Sequence, residues 1–314
     1  SIADTLNDTA VVLTHQNNFE EALSLYEYSL EMKRNVYKGD HSSIVDTLNN
    51  MAYVFYIGGN YAASLSLYAE RLLMMKRLLG DDDPTVAVSV NNIAILYDKQ
   101  CKYPEALAMY TESLEYKKKS AGTCEAADVA IADTLSDIAN MHEKLGHYSK
   151  ALEVYQESLD MKTRLYSTDH PSLADTLSDL GNVHEKLGKY QEALSFGHRA
   201  LAMKRAVYGT EHPSTADTLT NIAMIHKVQH SYSEALKFFA EALEMKRKVF
   251  GPDHTSISDT LGNLALMNYK LGNYNEALVM YTERLASIWK HYGAVHPSIA
   301  DTLIQIASVH DKQG

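Results

Sequence analysis

The stretch from His170 to Glu211, HPSLADTLSDLGNVHEKLGKYQEALSFGHRALAMKRAVYGTE, is 42 residues long, and at His212-Pro213 its pattern starts again. Asp-Thr-Leu begins at Asp4, Asp46, Asp133, Asp175, Asp217, Asp259 and Asp301, and Val88-Ser89-Val90 holds the same place in one further unit. A second marker keeps step at Phe19, Tyr61, Tyr103, Tyr148, Tyr190, Tyr232 and Tyr274. The step is 42 residues, except from Val88 to Asp133, where it is 45; three extra residues fall around Ser120–Asp128, near Cys124. Such a period marks a repeat array, in which each unit buries its apolar face against its neighbours. The 314 residues therefore read as one array and not as two globular domains. Its units are about 1–40, 41–82, 83–127, 128–169, 170–211, 212–253 and 254–295, with a final unpaired helix at 296–314.

Each unit reads as two helices, A and B. Pro171 starts a helix A, where its missing N–H costs nothing, and Leu173, Leu177, Leu180, Gly181 and His184 recur at helical spacing. Gly188 ends that helix, Tyr190 opens helix B and Gly209 stops it. Short loops force the pair antiparallel. Small residues mark where the helices touch: Ala10, Ala52, Ala94, Ala139, Gly181, Ala223, Ala265 and Ala307 in helix A, and Ala22, Ser64, Ala106, Ala151, Ala193, Ala235 and Ala277 in helix B. A bulkier side chain there would open voids. An aromatic row follows at Tyr26, Tyr68, Tyr110, Tyr155, Phe239 and Tyr281, broken by Gly197, where a neighbour is expected to fill in. Arg71 and Arg284 stand where small residues are wanted, and are expected to lay their stems on apolar surface with wet heads.

These residues resemble the tetratricopeptide repeat family, whose pattern of Leu, Gly/Ala, Tyr, then Gly-x-Tyr-x-x-Ala is met along nearly the whole chain. The 42-residue period and the Gly-x-x-His-Pro connection (Gly209 to Pro213, Gly293 to Pro297) are similar to the long repeats of kinesin light chains and of the sensor halves of some signalling ATPases. The resemblance implies an all-α fold: a right-handed superhelical solenoid of antiparallel helix pairs, with helix A lining the concave wall. Peptide-groove residues follow by slot. One polar file is Asp8, Asn50, Asn92, Asp137, Asp179, Asn221 and Asn263; a turn on stand Tyr53, Asn140 and Asn182, then Tyr56, Glu143 and Glu185. Leu48-Asn49-Asn50-Met51-Ala52 and Val90-Asn91-Asn92-Ile93-Ala94 are similar to the kinesin light chain Leu-Asn-Asn-Leu-Ala, whose second Asn holds cargo peptides. An amide donates and accepts, whereas Asp only accepts. The same side chains can instead bond across to the next helix A and hold the stack.

Other slots have plainer readings. The aspartates of Asp-Thr-Leu suit a helix N-terminus and can pair with Lys144, Lys186 or Lys312. The row Met32-Lys33-Arg34, Met75-Lys76-Arg77, Met161-Lys162, Met203-Lys204-Arg205 and Met245-Lys246-Arg247 reads as a solvated outer face. His142, His184, His226 and His310 recur once per unit; helices 8–10 Å apart cannot bring them to one ion, so they read as packing residues and no metal is expected. No phosphate loop and no nucleophile–base arrangement occurs, so neither an enzyme nor a cofactor is expected.

Net charge is −11 without a basic arm, which argues against nucleic acid. No apolar run reaches membrane-spanning length, and Cys101 and Cys124 are too few for a disulfide framework, which fits a cytoplasmic protein. Ser1 aligns inside a helix A and Gly314 closes one without its helix B, as in a segment of a longer array whose open ends could self-associate. The function expected is a non-catalytic adaptor or scaffold that binds a neutral to basic linear segment of a partner. The alternatives are the sensor or autoinhibitory half of a larger signalling ATPase, or a self-associating scaffold.

Overall fold

The computed structural model describes residues 1–81, 83–120, 125–166, 168–252 and 254–313, and of Ser120 and Glu125 the backbone alone. These residues form fifteen helices and no strand: α1 (Ile2–His15), α2 (Phe19–Tyr37), α3 (Ser42–Ile57), α4 (Tyr61–Leu79), α5 (Pro84–Lys99), α6 (Tyr103–Ser120), α7 (Glu125–Lys144), α8 (Tyr148–Leu165), α9 (Pro171–Lys186), α10 (Tyr190–Tyr208), α11 (Pro213–Val228), α12 (Tyr232–Phe250), α13 (Thr255–Leu271), α14 (Tyr274–Tyr292) and α15 (Pro297–Gln313). They divide into two compact units, Ser1–Met161 and Lys162–Gly314, and within each a helix packs chiefly on the next in the chain. Helix α7 has 20 residues where α5, α9 and α11 have 16, so the longer step lengthens a helix. Cys124 lies outside the described residues.

One joint recurs. Gly209 takes φ +80°, a region open to glycine, and stops α10. Three residues on, His212 caps α11: its Nδ1 accepts the Ser214 N–H at 3.2 Å, and its ring stacks on Tyr208 with centroids 4.1 Å apart. Tyr37–His41, Tyr166–His170, Phe250–His254 and Tyr292–His296 repeat the stack. Asp83 replaces the imidazole before α5, accepting the Thr85 N–H at 2.8 Å.

The small-residue slots are buried wherever helices A and B meet. Ser64 keeps its hydroxyl satisfied by donating to the Ala52 carbonyl at 2.7 Å. Ala307 differs and is exposed, since no described helix covers that face of α15. The aromatic row is buried as well, and at Gly197 the side chain of Ile222 fills in: a Cβ there would stand 3.0 Å from its Cγ1.

The basic row departs from its reading as an outer face. Lys33, Lys162, Lys204 and Lys246 are only 3%, 4%, 5% and 7% exposed. Their stems run between helices, and the ammonium ends in the seam between consecutive A helices. Lys33 Nζ lies 3.0 Å from Thr47 Oγ1 and 3.3 Å from Asp4. Lys162 and Lys246 donate to Thr176 at 3.1 Å and Thr260 at 3.2 Å, Lys117 to Thr134 at 2.5 Å, and Lys204 pairs with Asp175 at 3.3 Å. Only the next residue faces outward, as in Arg34–Glu70 (2.5 Å), Arg205–Glu241 and Arg247–Glu283.

In α4 and α14 the seam slot holds Met75 and Ile288, and the cation comes from Arg71 and Arg284, one turn earlier on the same helix. Arg71 donates to Ser89, and Arg284 to Thr302 at 3.0 Å. Both residues are half-buried, and in each the Nε atom is buried without a partner, because the guanidinium enters the seam. The aspartates are likewise not partnered by Lys144 or Lys186, which reach Asp98 (2.5 Å) and Glu185 (3.4 Å). Asp4 lies in the first turn of α1, while α3, α9, α11 and α13 have no acid there. Inward lysines are the partners of Asp4, Asp175 and Asp217 instead.

The recurring histidines pack as expected in three units. His142 is buried, His184 stacks on Phe196 at 5.2 Å and His226 on Phe238 at 5.5 Å; His310, on the uncovered face of α15, is exposed. Burial holds His142, His184 and His226 below the usual imidazole pKa of 6.5. The unfolded chain thus binds protons more readily than the folded one in the window below 6.5. Their contribution is complete above it and is lost as pH falls. The denaturation midpoint is expected to drop between pH 7.5 and 5.5, and His184→Phe with His226→Phe to flatten that drop; an unaltered slope would refute the assignment. For the seam, Lys204→Met, which keeps the stem, is expected to cost under about 1 kcal/mol in a urea melt, and Lys204→Ala about 2–3 kcal/mol.

Candidate functional site

Within each of the two compact units the odd-numbered helices carry polar files, because residues three and four apart share a helix side. In the first unit, Asn50, Asn92 and Asp137 are half-buried on α3, α5 and α7, while Asp8 on α1 is exposed. Tyr53 is 48% exposed, and its ring centre lies 6.5 Å from that of Tyr56. These two rings, with Tyr68 of α4 and Asn92, Ile95 and Leu96 of α5, line a cleft of about 200 Å³. Asn92 therefore lines it as an amide beside aromatic walls. Asn140 and Glu143 follow, half-buried, on α7, with the Tyr155 hydroxyl 3.5 Å from Glu143. Lys144–Asp98 bridges α7 to α5 on this face.

In the second unit, Asp179, Asn182 and Glu185 are half-buried on α9, Asn221 on α11 and Asn263 on α13. Here amides meet one another. Asn221 Nδ2 donates to Asn182 Oδ1 at 2.9 Å, and Lys227 Nζ to Asn263 Oδ1 at 2.8 Å. Burial holds the Lys227 pKa below the usual range. Asn182 and Asn221 frame a narrow notch floored by Gly181 and Gly197. The polar file of the second unit is thus bridged at Asn182–Asn221 and Lys227–Asn263, whereas in the first unit a cleft opens beside Asn92.

A wider cleft of about 350 Å³ lies further along, lined by Asp259, Gly262, Asn263, Leu266, Tyr281, Arg284, Asp301 and Gln305. Arg284 was not assigned to this face in the sequence. The signal was available, since Gly262 replaces the Asn, Ser or Thr of the earlier units in the same chain that receives Arg284. Among the described residues no three His, Cys, Asp or Glu side chains gather as a metal site, and no helix is long and apolar enough to cross a membrane.

A tetratricopeptide repeat profile matches residues 1–72, 43–119, 130–206, 178–248 and 214–288. No curated protein sequence matches. Among solved structures the chain is similar to BtubC (BKLC) from P. vanneervenii, with 24% identity, TM-score 0.58, and coverage of 68% of this chain and 84% of that one. It is similar to a putative kinesin light chain with nearly identical TPR-like repeats from Podosopora anserina, at 18% identity and TM-score 0.58 over 68% and 99% of the two chains. A signal transduction ATPase with a tetratricopeptide repeat sensor from Pyrococcus horikoshii gives 13% identity and TM-score 0.71 over 99% of this chain and 45% of that one. Identities this low speak to the fold alone. The profile, however, spans most of the residues, in step with the paired helices and their small-residue contacts, and the chain belongs to the tetratricopeptide repeat family.

Proposed function

We propose that this chain, a tetratricopeptide repeat protein and so a module for protein–protein interaction, holds an extended segment of its partner along the odd-numbered helices and acts as a non-catalytic adaptor or scaffold. The observation that carries the reading is Asn92, half-buried and lining the cleft with Tyr53, Tyr56 and Tyr68. An amide there can take one backbone C=O and one N–H of a strand-like segment while the cleft receives an apolar side chain. Asp8, Asp137, Asp179, Glu143 and Glu185 on the same face favour a neutral to basic segment. The array is read as seven helix pairs and a final helix acting together. A sensor half of a signalling ATPase would use the same face; the likeness to one is a likeness of fold.

Peptides selected from a display library on the wild-type chain are expected to bind Asn92→Leu at least about tenfold more weakly, the loss of hydrogen bonds to a buried backbone. The melting midpoint should hold, since Asn92 is only half-buried. Asn221→Leu is expected to cost about 1 kcal/mol of stability as well, because it breaks the bond to Asn182. Peptides that bind Asn92→Leu as tightly as wild type would overturn the reading.

A further inference from the structure

Every helix B sends one cation into its seam, and in α14 that cation is Arg284. Its Nη1 donates to Thr302, its Nε is buried without a partner, and among the described residues it forms no ion pair. Two carboxylates, Asp259 and Asp301, nevertheless line the same cleft and are exposed. Asp259 has lost the lysine that other units supply, because Ile288 stands in that slot. The cleft is roomy because of one residue: a Cβ on Gly262 would lie 2.9 Å from Arg284 Nε. A guanidinium, two unneutralised carboxylates and the amides of Asn263 and Gln305 thus surround about 350 Å³.

Neither a simple anion nor a simple cation satisfies this lining. An anion on Arg284 meets two aspartates, and a cation between the aspartates meets Arg284. We propose that the cleft is a binding site for a dipolar group, its carboxylate on Arg284 and its cationic nitrogen between Asp259 and Asp301. Charge-assisted hydrogen bonds at both ends would carry recognition. Two sources supply such a group: a free basic amino acid, or an adjacent acid–base residue pair in a peptide. The cleft shares a helix face with the proposed peptide groove, but small probes test it without that reading.

The probes are free L-lysine and the blocked dipeptide acetyl-Glu-Lys-amide, titrated by calorimetry and by NMR. At least one is expected to bind below about 10 mM. Binding of lysine alone assigns a free amino acid; binding of the dipeptide alone assigns a peptide segment. Arg284→Met is expected to weaken binding about tenfold or more, and Asp259→Asn with Asp301→Asn likewise. Acetyl-Gln-Lys-amide and acetyl-Glu-Gln-amide, each lacking one charge, should bind about tenfold more weakly than the full dipeptide. Gly262→Ser, which closes the cleft, should also abolish the signal and serves if Arg284→Met does not fold. Neither probe binding at about 10 mM, or equal affinity in Arg284→Met, would overturn the site.

Discussion

One cation per unit, drawn inward between helices, sets the terms for everything stacked around it. Taking an ammonium out of water costs several kcal/mol, offset only where oxygen ligands wait in fixed positions. Here they wait on helix A of the following pair, in the hydroxyls of Thr47, Thr134, Thr176 and Thr260, and on helix A of the same pair, in Asp4, Asp175 and Asp217. The tripeptide Asp-Thr-Leu is thereby explained residue by residue. Asp receives the cation of its own unit, Thr that of the unit before, and Leu fills the core, as Leu48, Leu177, Leu219 and Leu261 do. A lysine misplaced by a turn would leave both oxygens and its own charge unanswered, so the contact selects one stacking register.

Much of this was legible in the amino acids. Period alone located the helix pairs, since glycine at positive φ or a capping histidine punctuates most of the described joints. The small-residue contacts and the filling at Gly197 follow from volume, which sequence encodes directly. The direction of the lysines does not. Lys204 and Arg205 are neighbours about 100° apart on a helix, and both are cations, so apolar periodicity cannot tell which turns inward. Reading Met75-Lys76-Arg77 as the partner of Met32-Lys33-Arg34 also slips one place: Met75 occupies the slot of Lys33. Aligned by slot, the exchange of Ser29 and Lys33 for Arg71 and Met75, and again for Arg284 and Ile288, shows one cation preserved while its turn changes.

The polar face was legible as a face but not as a set of bonds. Asn92 lines a cleft, and Asn182 and Asn221 bond to each other. Whether two amides touch depends on the spacing of adjacent helices to a fraction of an ångström, and on what stands behind them. Behind Asn182 and Asn221 are Gly181 and Gly197, and the amides close on each other. Behind Asn92 are tyrosine rings, and a cleft stays open.

The joint between helices has a consequence of another kind. The unit that begins at His170 is entered through an imidazole stacked on an aromatic ring and left through the same device, at Tyr166–His170 and Tyr208–His212. A gene segment cut at any two such joints encodes a cassette whose termini match. Duplication or loss of 42 codons then changes the reach of the molecule by a fixed increment without inventing an interface, so length is a trait that recombination can adjust while individual surfaces diverge.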